Sequence, residues 1–536
     1  MATNLPLVPL FTFLFCFISS LFFSPSLSAT TTDGNHHDVK WWCDQTPNPD
    51  PCNHFLVAQN PQPATVVTSS LAFRKTAIQL AMGRAMTAQA HNKQLGTKCR
   101  TRKEKAAWAD CMDLYTAAVR HLNATLTEPK STDSDARTWL SAALTSLDTC
   151  RAGFRDLGLS GPAHRLLPMM TNNNVSKLLS NALAVTGGGG GEDFDPPRGE
   201  YRDGFPGWVN AGDRRRLLQS PAADVVVAKD GSGDFRTVAE AVKAAGKRGG
   251  ARRFVIRVKR GVYKENVEVG SGLKNVMLVG DGMRNTVITG SRSVGGGSTT
   301  FRSATFAVNG AGFIARGITF RNTAGPQNHQ AVALRSDSDR SVFYQCSIEG
   351  YQDTLYVHSQ RQFYRECYIY GTVDFIFGNA AAVLQNCMIY ARRPMKSQKI
   401  TITAQGRTDT NENTGISIHN SRVLAAADLK PVVGSFRTFL GRPWRKYSRV
   451  VFMRTYLDSL VDPAGWLEWD GDFALNTLYY GEYGNTGPGA PTGRRVKWRG
   501  YRVIRSAAEA SRFTVDNFIA GRSWLPATGV PFNSGL

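Results

Sequence analysis

Two aspartates, Asp353 and Asp374, hold matching places in an internal repeat. Tyr351-Gln352-Asp353-Thr354 comes back as Thr372-Val373-Asp374-Phe375, and His329-Gln330-Ala331-Val332 precedes both at a similar step. Each is followed by a cysteine-centred phrase: Phe343-Tyr-Gln-Cys346-Ser-Ile348, Tyr364-Arg-Glu-Cys367-Tyr-Ile369 and Leu384-Gln-Asn-Cys387-Met-Ile389. The cysteines step by 21 and then 20 residues. A repeat of this length suggests one supersecondary unit stacked on the next. If each unit is one coil of a parallel β-helix, equivalent residues lie about 4.8 Å apart. Asp353 then sits above Asp374, and Gln330 above Gln352. Two carboxylates that close cannot both ionise cheaply, so one pKa should rise and the other fall. The pair supplies an acid together with a nucleophile or base. The two amides can donate to a developing oxyanion. This set points to acyl transfer at a carbonyl. Arg442, in Leu440-Gly-Arg-Pro-Trp444, could hold one aspartate ionised, and Trp444 offers a flat apolar face. An Asp in a turn, a Gln stack and an Arg-Pro-Trp loop can also be purely structural, so spacing alone leaves both readings open. There is no Gly-x-Ser-x-Gly elbow. The nine histidines show no metal-site spacing; no metal and no cofactor is expected. His329 and His358 are read as surface or supporting residues.

Positioning these groups requires a stack of short strands. From Asp224 on, β-rich runs are punctuated by Gly, Asn and Asp: 225–227, 254–258, 276–279, 287–289, 305–308 and 313–314. Helical periodicity is confined to Thr237–Ala245, and no alternation of strands and helices supports a doubly wound sheet. Residues 222–536 are therefore expected to form an all-β, right-handed parallel β-helix, with the short helix capping its open N-terminal end. Cys346 and Cys367 should stack one rung apart, within the Cα separation that a disulfide tolerates, and are expected to be bonded. Cys387 is expected to be buried without a partner.

The N-terminal part has another texture. Over 38–185, apolar residues recur at helical spacing, as in Ala107, Cys111, Leu114, Tyr115, Ala118 and Leu122. An all-α four-helix bundle is expected. In an exported chain Cys43, Cys52, Cys111 and Cys150 suit two disulfides, leaving Cys99 over. Asn123 and Asn174 open Asn-x-Ser/Thr acceptors for glycosylation. Residues 186–221 read as a flexible linker ending in Arg214-Arg215-Arg216-Leu217-Leu218, a basic cluster open to proteolysis. At the start, 1–29 reads as a cleaved secretory signal rather than a lasting membrane anchor. The formal net charge is +22, from 64 Lys and Arg against 42 Asp and Glu. Such a chain suits a polyanionic partner. Export disfavours nucleic acid and favours an acidic extracellular polymer.

Taken together, several segments resemble plant pectin methylesterase precursors: Gly317-Ile-Thr-Phe-Arg-Asn-Thr-Ala-Gly-Pro326, Gly350-Tyr-Gln-Asp-Thr-Leu-Tyr356, Gly371-Thr-Val-Asp-Phe-Ile-Phe-Gly378, Ile402-Thr-Ala-Gln-Gly-Arg407 and Leu440-Gly-Arg-Pro-Trp444. The helical part is similar to the plant invertase and pectin methylesterase inhibitor family through Cys43–Cys52, Ala107-Trp-Ala-Asp-Cys111-Met-Asp-Leu-Tyr115 and Thr138-Trp-Leu-Ser-Ala-Ala-Leu-Thr145 leading to Cys150. The resemblance implies disulfides 43–52 and 111–150. It implies Asp374 as nucleophile, Asp353 as proton donor, and Gln352 and Gln330 as oxyanion-hole residues. Thr300, Gln330, Arg442 and Trp444 are implied in substrate binding, and Arg215 to Leu218 as the processing signal. The implied protein is a secreted, cell-wall, monomeric hydrolase of homogalacturonan methyl esters. Its pro-region would inhibit or chaperone it until a processing protease cuts, and inhibitor proteins of the pro-region's family are implied partners. The aspartate cluster of a polygalacturonase and the acidic calcium site of a pectate lyase are not visible.

Overall fold

The computed structural model describes residues 38–58, 69–128, 131–159, 161, 166, 174–187, 201–202, 205–206, 222–247 and 252–536. The leader 1–29 and the Arg214–Leu218 cluster lie outside the described residues, as does nearly all of the linker. Among the described residues, no helix is long and apolar enough to cross a membrane.

Four long helices, Ser70–Gln94, Arg102–Thr127, Asp133–Asp156 and Asn174–Gly187, pack on one another in the N-terminal part. Capping hydroxyls start three of them: Ser69, Thr101 and Thr132 each accept from a backbone N–H of the first turn. The apolar spacing identified above is buried along Arg102–Thr127. Cys111 on that helix is bonded to Cys150 on Asp133–Asp156, and Cys43 to Cys52. Asn123 is exposed on its helix and Asn174 opens the fourth.

From Val225 the chain winds through three parallel sheets of 11, 8 and 7 strands, each taking about every third strand in turn. This is a parallel β-helix, and several of the expected strands fall where the β-rich runs placed them, among them Val225–Val227 and Phe254–Val258. The helix Val238–Ala245, started by a Thr237–Glu240 capping box, buries Val238, Ala241, Val242 and Ala245 in the N-terminal end of the solenoid core. The core runs as aligned columns. Phe320, Ile348, Ile369, Ile389 and Val423 follow one another through successive pairings of the eight-stranded sheet. That main core contains no residue from the helical bundle.

One expectation is corrected. Cys346 and Cys367 are not bonded; they are buried thiols, as is Cys387. The reason lies in what this column of the solenoid does. Each follows a residue in the left-handed region, Gln345, Glu366 and Asn386 with φ of 52°, 53° and 56°. Each thiol then points at a carbonyl of the preceding coil: Cys346 Sγ to Ala315 O at 3.6 Å, Cys367 Sγ to Phe343 O at 3.2 Å and Cys387 Sγ to Tyr364 O at 3.6 Å. On the next two coils Ser421 and then Thr455 take the same place, and their hydroxyls donate to Leu384 O and Ile418 O. The column is a donor position. Stacked side chains in register run parallel, and a disulfide needs Cβ vectors that converge.

Candidate active site

Asp353 and Asp374 meet because their coils are in register. Leu355 pairs with Ile376 in the seven-stranded sheet, and two residues earlier on each coil stands the aspartate. Both take positive φ, 59° and 50°. For a residue with a Cβ this costs about 1 kcal/mol or more, so the surrounding turns must hold it. The Asp353 N–H donates to Val373 O at 3.0 Å, fixing one turn on the next. The two glutamines are level as well. Leu334 pairs with Leu355, a step of 21, whereas Gln330 and Gln352 are 22 apart. The Ala331 N–H donates to Gln352 O at 3.2 Å, as the Asp353 N–H does to Val373 O, and this sets Gln330 level with Gln352. The extra residue lies between Gln330 and Leu334, where the Ala333 and Leu334 N–H groups both donate to Thr354 O, at 2.9 and 3.3 Å. Both glutamine side chains still line the cavity that holds the aspartates.

The two carboxylates have different surroundings. Arg442 grips Asp374 with two bonds, Nε to Oδ1 at 2.8 Å and Nη2 to Oδ2 at 2.7 Å. The Thr401 hydroxyl donates to Asp374 Oδ1 at 2.7 Å and accepts from its backbone N–H at 2.8 Å. Burial would lower the Arg442 pKa, but the Asp374 charge and hydrogen bonds outweigh it and raise it. Such a bidentate, charge-assisted pair favours the ionised carboxylate. Asp353 lacks such a grip. Burial raises its pKa well above the ordinary carboxylate value, and the nearby charges of Asp374 and Asp156 push the same way. The guanidinium thus favours the charged form of one carboxylate, and burial favours the protonated form of its neighbour.

The cavity has a volume of about 240 Å³. Gln330, Gln352, Arg442, Trp444 and Thr300 line it with the two aspartates. Among the described residues, the Gln352 Oε1 is buried without a hydrogen-bond partner, which leaves that oxygen open to a donor group of a ligand. Arg442 also stacks over Trp469, 4.4 Å from the ring centroid. The set can cradle a planar ester beside a charged nucleophile, an acid and amide donors. His329 is exposed at the end of its turn, and His358 lies apart, buried against Asp337 and Thr149. Among the described residues, no group of three or more His, Cys, Asp or Glu could hold a metal ion.

One wall was not foreseen. Thr149, Ala152, Gly153 and Asp156, all on the bundle helix Asp133–Asp156, close the cavity from outside. Asp156 Oδ2 accepts from the Thr300 N–H at 3.1 Å, and its pKa is raised by burial. Around this wall the bundle supplies carboxylates and the β-helix supplies guanidinium groups. Asp110 and Asp113 accept from Arg302 at 2.8 and 2.6 Å, Asp135 from Arg361 at 2.7 Å and Arg340 at 3.0 Å, and Asp148 from Arg445 at 2.8 Å. The only sequence signal is the spacing of Asp148 and Asp156 around the small pair Ala152-Gly153, which lets the helix approach closely; Gly153 faces Thr299.

Comparison with known proteins agrees with this geometry. The profile of the pectinesterase family matches residues 224–522, and that of the plant invertase/pectin methylesterase inhibitor family matches residues 37–185. Pectinesterase 2 of Citrus sinensis is 60% identical over 512 residues, covering 95% of this chain and 97% of the relative. Probable pectinesterase/pectinesterase inhibitor 17 of Arabidopsis thaliana is 60% identical over 515 residues, with the same coverage. A solved pectin methylesterase from carrot superposes with a TM-score of 0.59 at 60% identity, covering 59% of this chain and 99% of that one. The chain belongs to the pectinesterase family and carries an N-terminal domain of the plant invertase/pectin methylesterase inhibitor family.

Proposed function

We propose that the chain removes methyl esters from the galacturonate units of plant cell-wall pectin through an aspartyl acyl-enzyme. The observation that carries this reading is the contrast between Asp374, gripped by Arg442, and Asp353, buried beside it without a cation of its own. Charged Asp374 attacks the C6 ester carbonyl, forming a new C–O bond. The oxyanion takes hydrogen bonds from the amides of Gln330 and Gln352. The C–OMe bond breaks, and methoxide leaves as methanol with the Asp353 proton. Asp353, now ionised, takes a proton from water. The hydroxide adds to the acyl carbon, the bond to Asp374 breaks, and the product carboxyl loses its proton to solvent. Thr300, Arg442 and Trp444 position the chain of sugars.

The uncut chain is held back by its own bundle, which closes the cavity with Asp156. In this reading the protein is exported, cut by a protease within 186–221 after Arg216, and acts as a monomer in the cell wall, where inhibitors related to its own bundle could cover the same face. The test is to follow methanol release from pectin by the full chain and by the chain cut after Arg216 and freed of the bundle. The cut protein should release methanol without new reducing ends or unsaturated products, and the full chain should release far less. Equal rates would remove the inhibitory role of the bundle. New reducing ends or unsaturated products in place of methanol would remove the esterase reading.

A further inference from the structure

Four bundle carboxylates meet four solenoid arginines at the closed cavity, and these arginines differ in what they keep when the bundle leaves. Arg361 keeps Asp339, bound through Nε at 2.9 Å and Nη2 at 2.6 Å within the solenoid, and Arg340 keeps the same carboxylate at 3.9 Å. Among the described residues Arg445 keeps none: its ion pair is with Asp148 of the bundle, and it also donates to Trp444 O at 3.2 Å. Arg302 loses Asp110 and Asp113 and keeps Glu268 at 3.4 Å, a half-exposed group shared with Asn309.

The positions of these two arginines match the cavity. Arg445 follows Trp444, with its guanidinium 4.4 Å from that ring's centroid. Arg302 is two residues beyond Thr300. In the seven-stranded sheet the strand after Arg302, Phe306–Val308, lies two places before the one after Asp353, and the strand before Arg445, Thr438–Gly441, lies two places beyond the one after Asp374, so one arginine stands on each side of the pair along the stack; each is neutralised in the uncut chain by a carboxylate presented from outside. A guanidinium in such a place recognises carboxylate geometry rather than bulk negative charge.

We propose that, after the bundle has left, Arg302 and Arg445 bind the free carboxylates of already demethylated galacturonate units on either side of the ester under attack. Asp110, Asp113 and Asp148 of the bundle then stand, in the uncut chain, where the anionic polymer later lies. The proposal rests on the pectin-ester reading above for the identity of the polymer, and on the ion pairs for the site. It gives the cut enzyme a preference for esters next to its own product.

The test uses the protein cut after Arg216 and freed of the bundle. The solenoid's main core contains no bundle residue, and the solved carrot chain is matched over 99% of its length by 59% of this one, the share taken by residues 222–536. Binding of a short polygalacturonate oligomer should weaken about tenfold in Arg302→Gln and in Arg445→Gln, the loss expected for one charge-assisted contact. The ratio of kcat/KM for partly demethylated over fully methylated pectin should fall by a similar factor. Arg302→Lys should recover part of the loss, and thermal unfolding confirms that each variant is folded. Arg284→Gln, at an exposed position ahead of the strand Thr286–Gly290, should leave binding unchanged. Unchanged oligomer binding in both Gln variants, or an equal loss in Arg284→Gln, would overturn the site. Weakened binding in a protein that releases no methanol from any pectin would overturn the esterase reading and leave the arginine site standing.

Discussion

At the scale of single residues, the chemistry depends on two identical side chains being made unlike. Asp374 has a guanidinium on both oxygens and a threonine hydroxyl besides. Asp353 has burial and two neighbouring negative charges. The consequence can be read from stability as well as from rate. The unfolded chain gives up the Asp353 proton near the ordinary carboxylate pKa, while the folded protein keeps it to a higher pH. Between those two pH values the folded state binds more protons, so stability falls as pH rises. Asp353→Asn removes that dependence. The variant should melt at a higher temperature than the parent at neutral pH, with the gain shrinking toward zero near pH 3. The check is a series of thermal melts across pH on both proteins, with activity lost in the variant throughout. A gain that is the same at every pH would mean that Asp353 is not held protonated.

At the scale of elements, much of the solenoid was legible because it repeats. The cysteine phrases set the coil length, and that length brought Asp353 over Asp374 before any strand was placed. The Thr237–Glu240 capping box and the apolar spacing of Arg102–Thr127 were legible for local reasons, hydroxyl capping and helical period. Two features were not. The repeat does not announce the extra residue between Gln330 and Leu334, which is absorbed where the Ala333 and Leu334 N–H groups both donate to Thr354 O. The cysteine column looked like a disulfide because reach was judged and direction was not; Ser421 and Thr455 in the same column show that it asks for a hydrogen-bond donor. Peptide mapping of protein unfolded without reductant should find Cys346 and Cys367 alkylated on separate peptides, and Cys111 linked to Cys150. A linked 346–367 pair would contradict the donor column.

At the scale of the whole molecule, the two parts are joined by charge as well as by packing. Phe301, Tyr356, Phe377 and Trp444 from the solenoid share an apolar cluster with the bundle, and carboxylates on one side face arginines on the other around it. This contact could not be read from the sequence, since no spacing links Asp156 to Thr300 across 144 residues. The closed cavity already holds Asp353, Asp374, Gln330 and Gln352 together, so on the proposed reading the cut need only uncover them. The most direct measurement is methanol release from pectin by the cut chain carrying Asp374→Asn, with its fold checked by circular dichroism and melting. The expected result is a folded protein with release at the level of the uncatalysed blank, while the parent turns over. A folded Asp374→Asn protein that releases methanol at the parent's rate would contradict the assignment of Asp374 as the nucleophile.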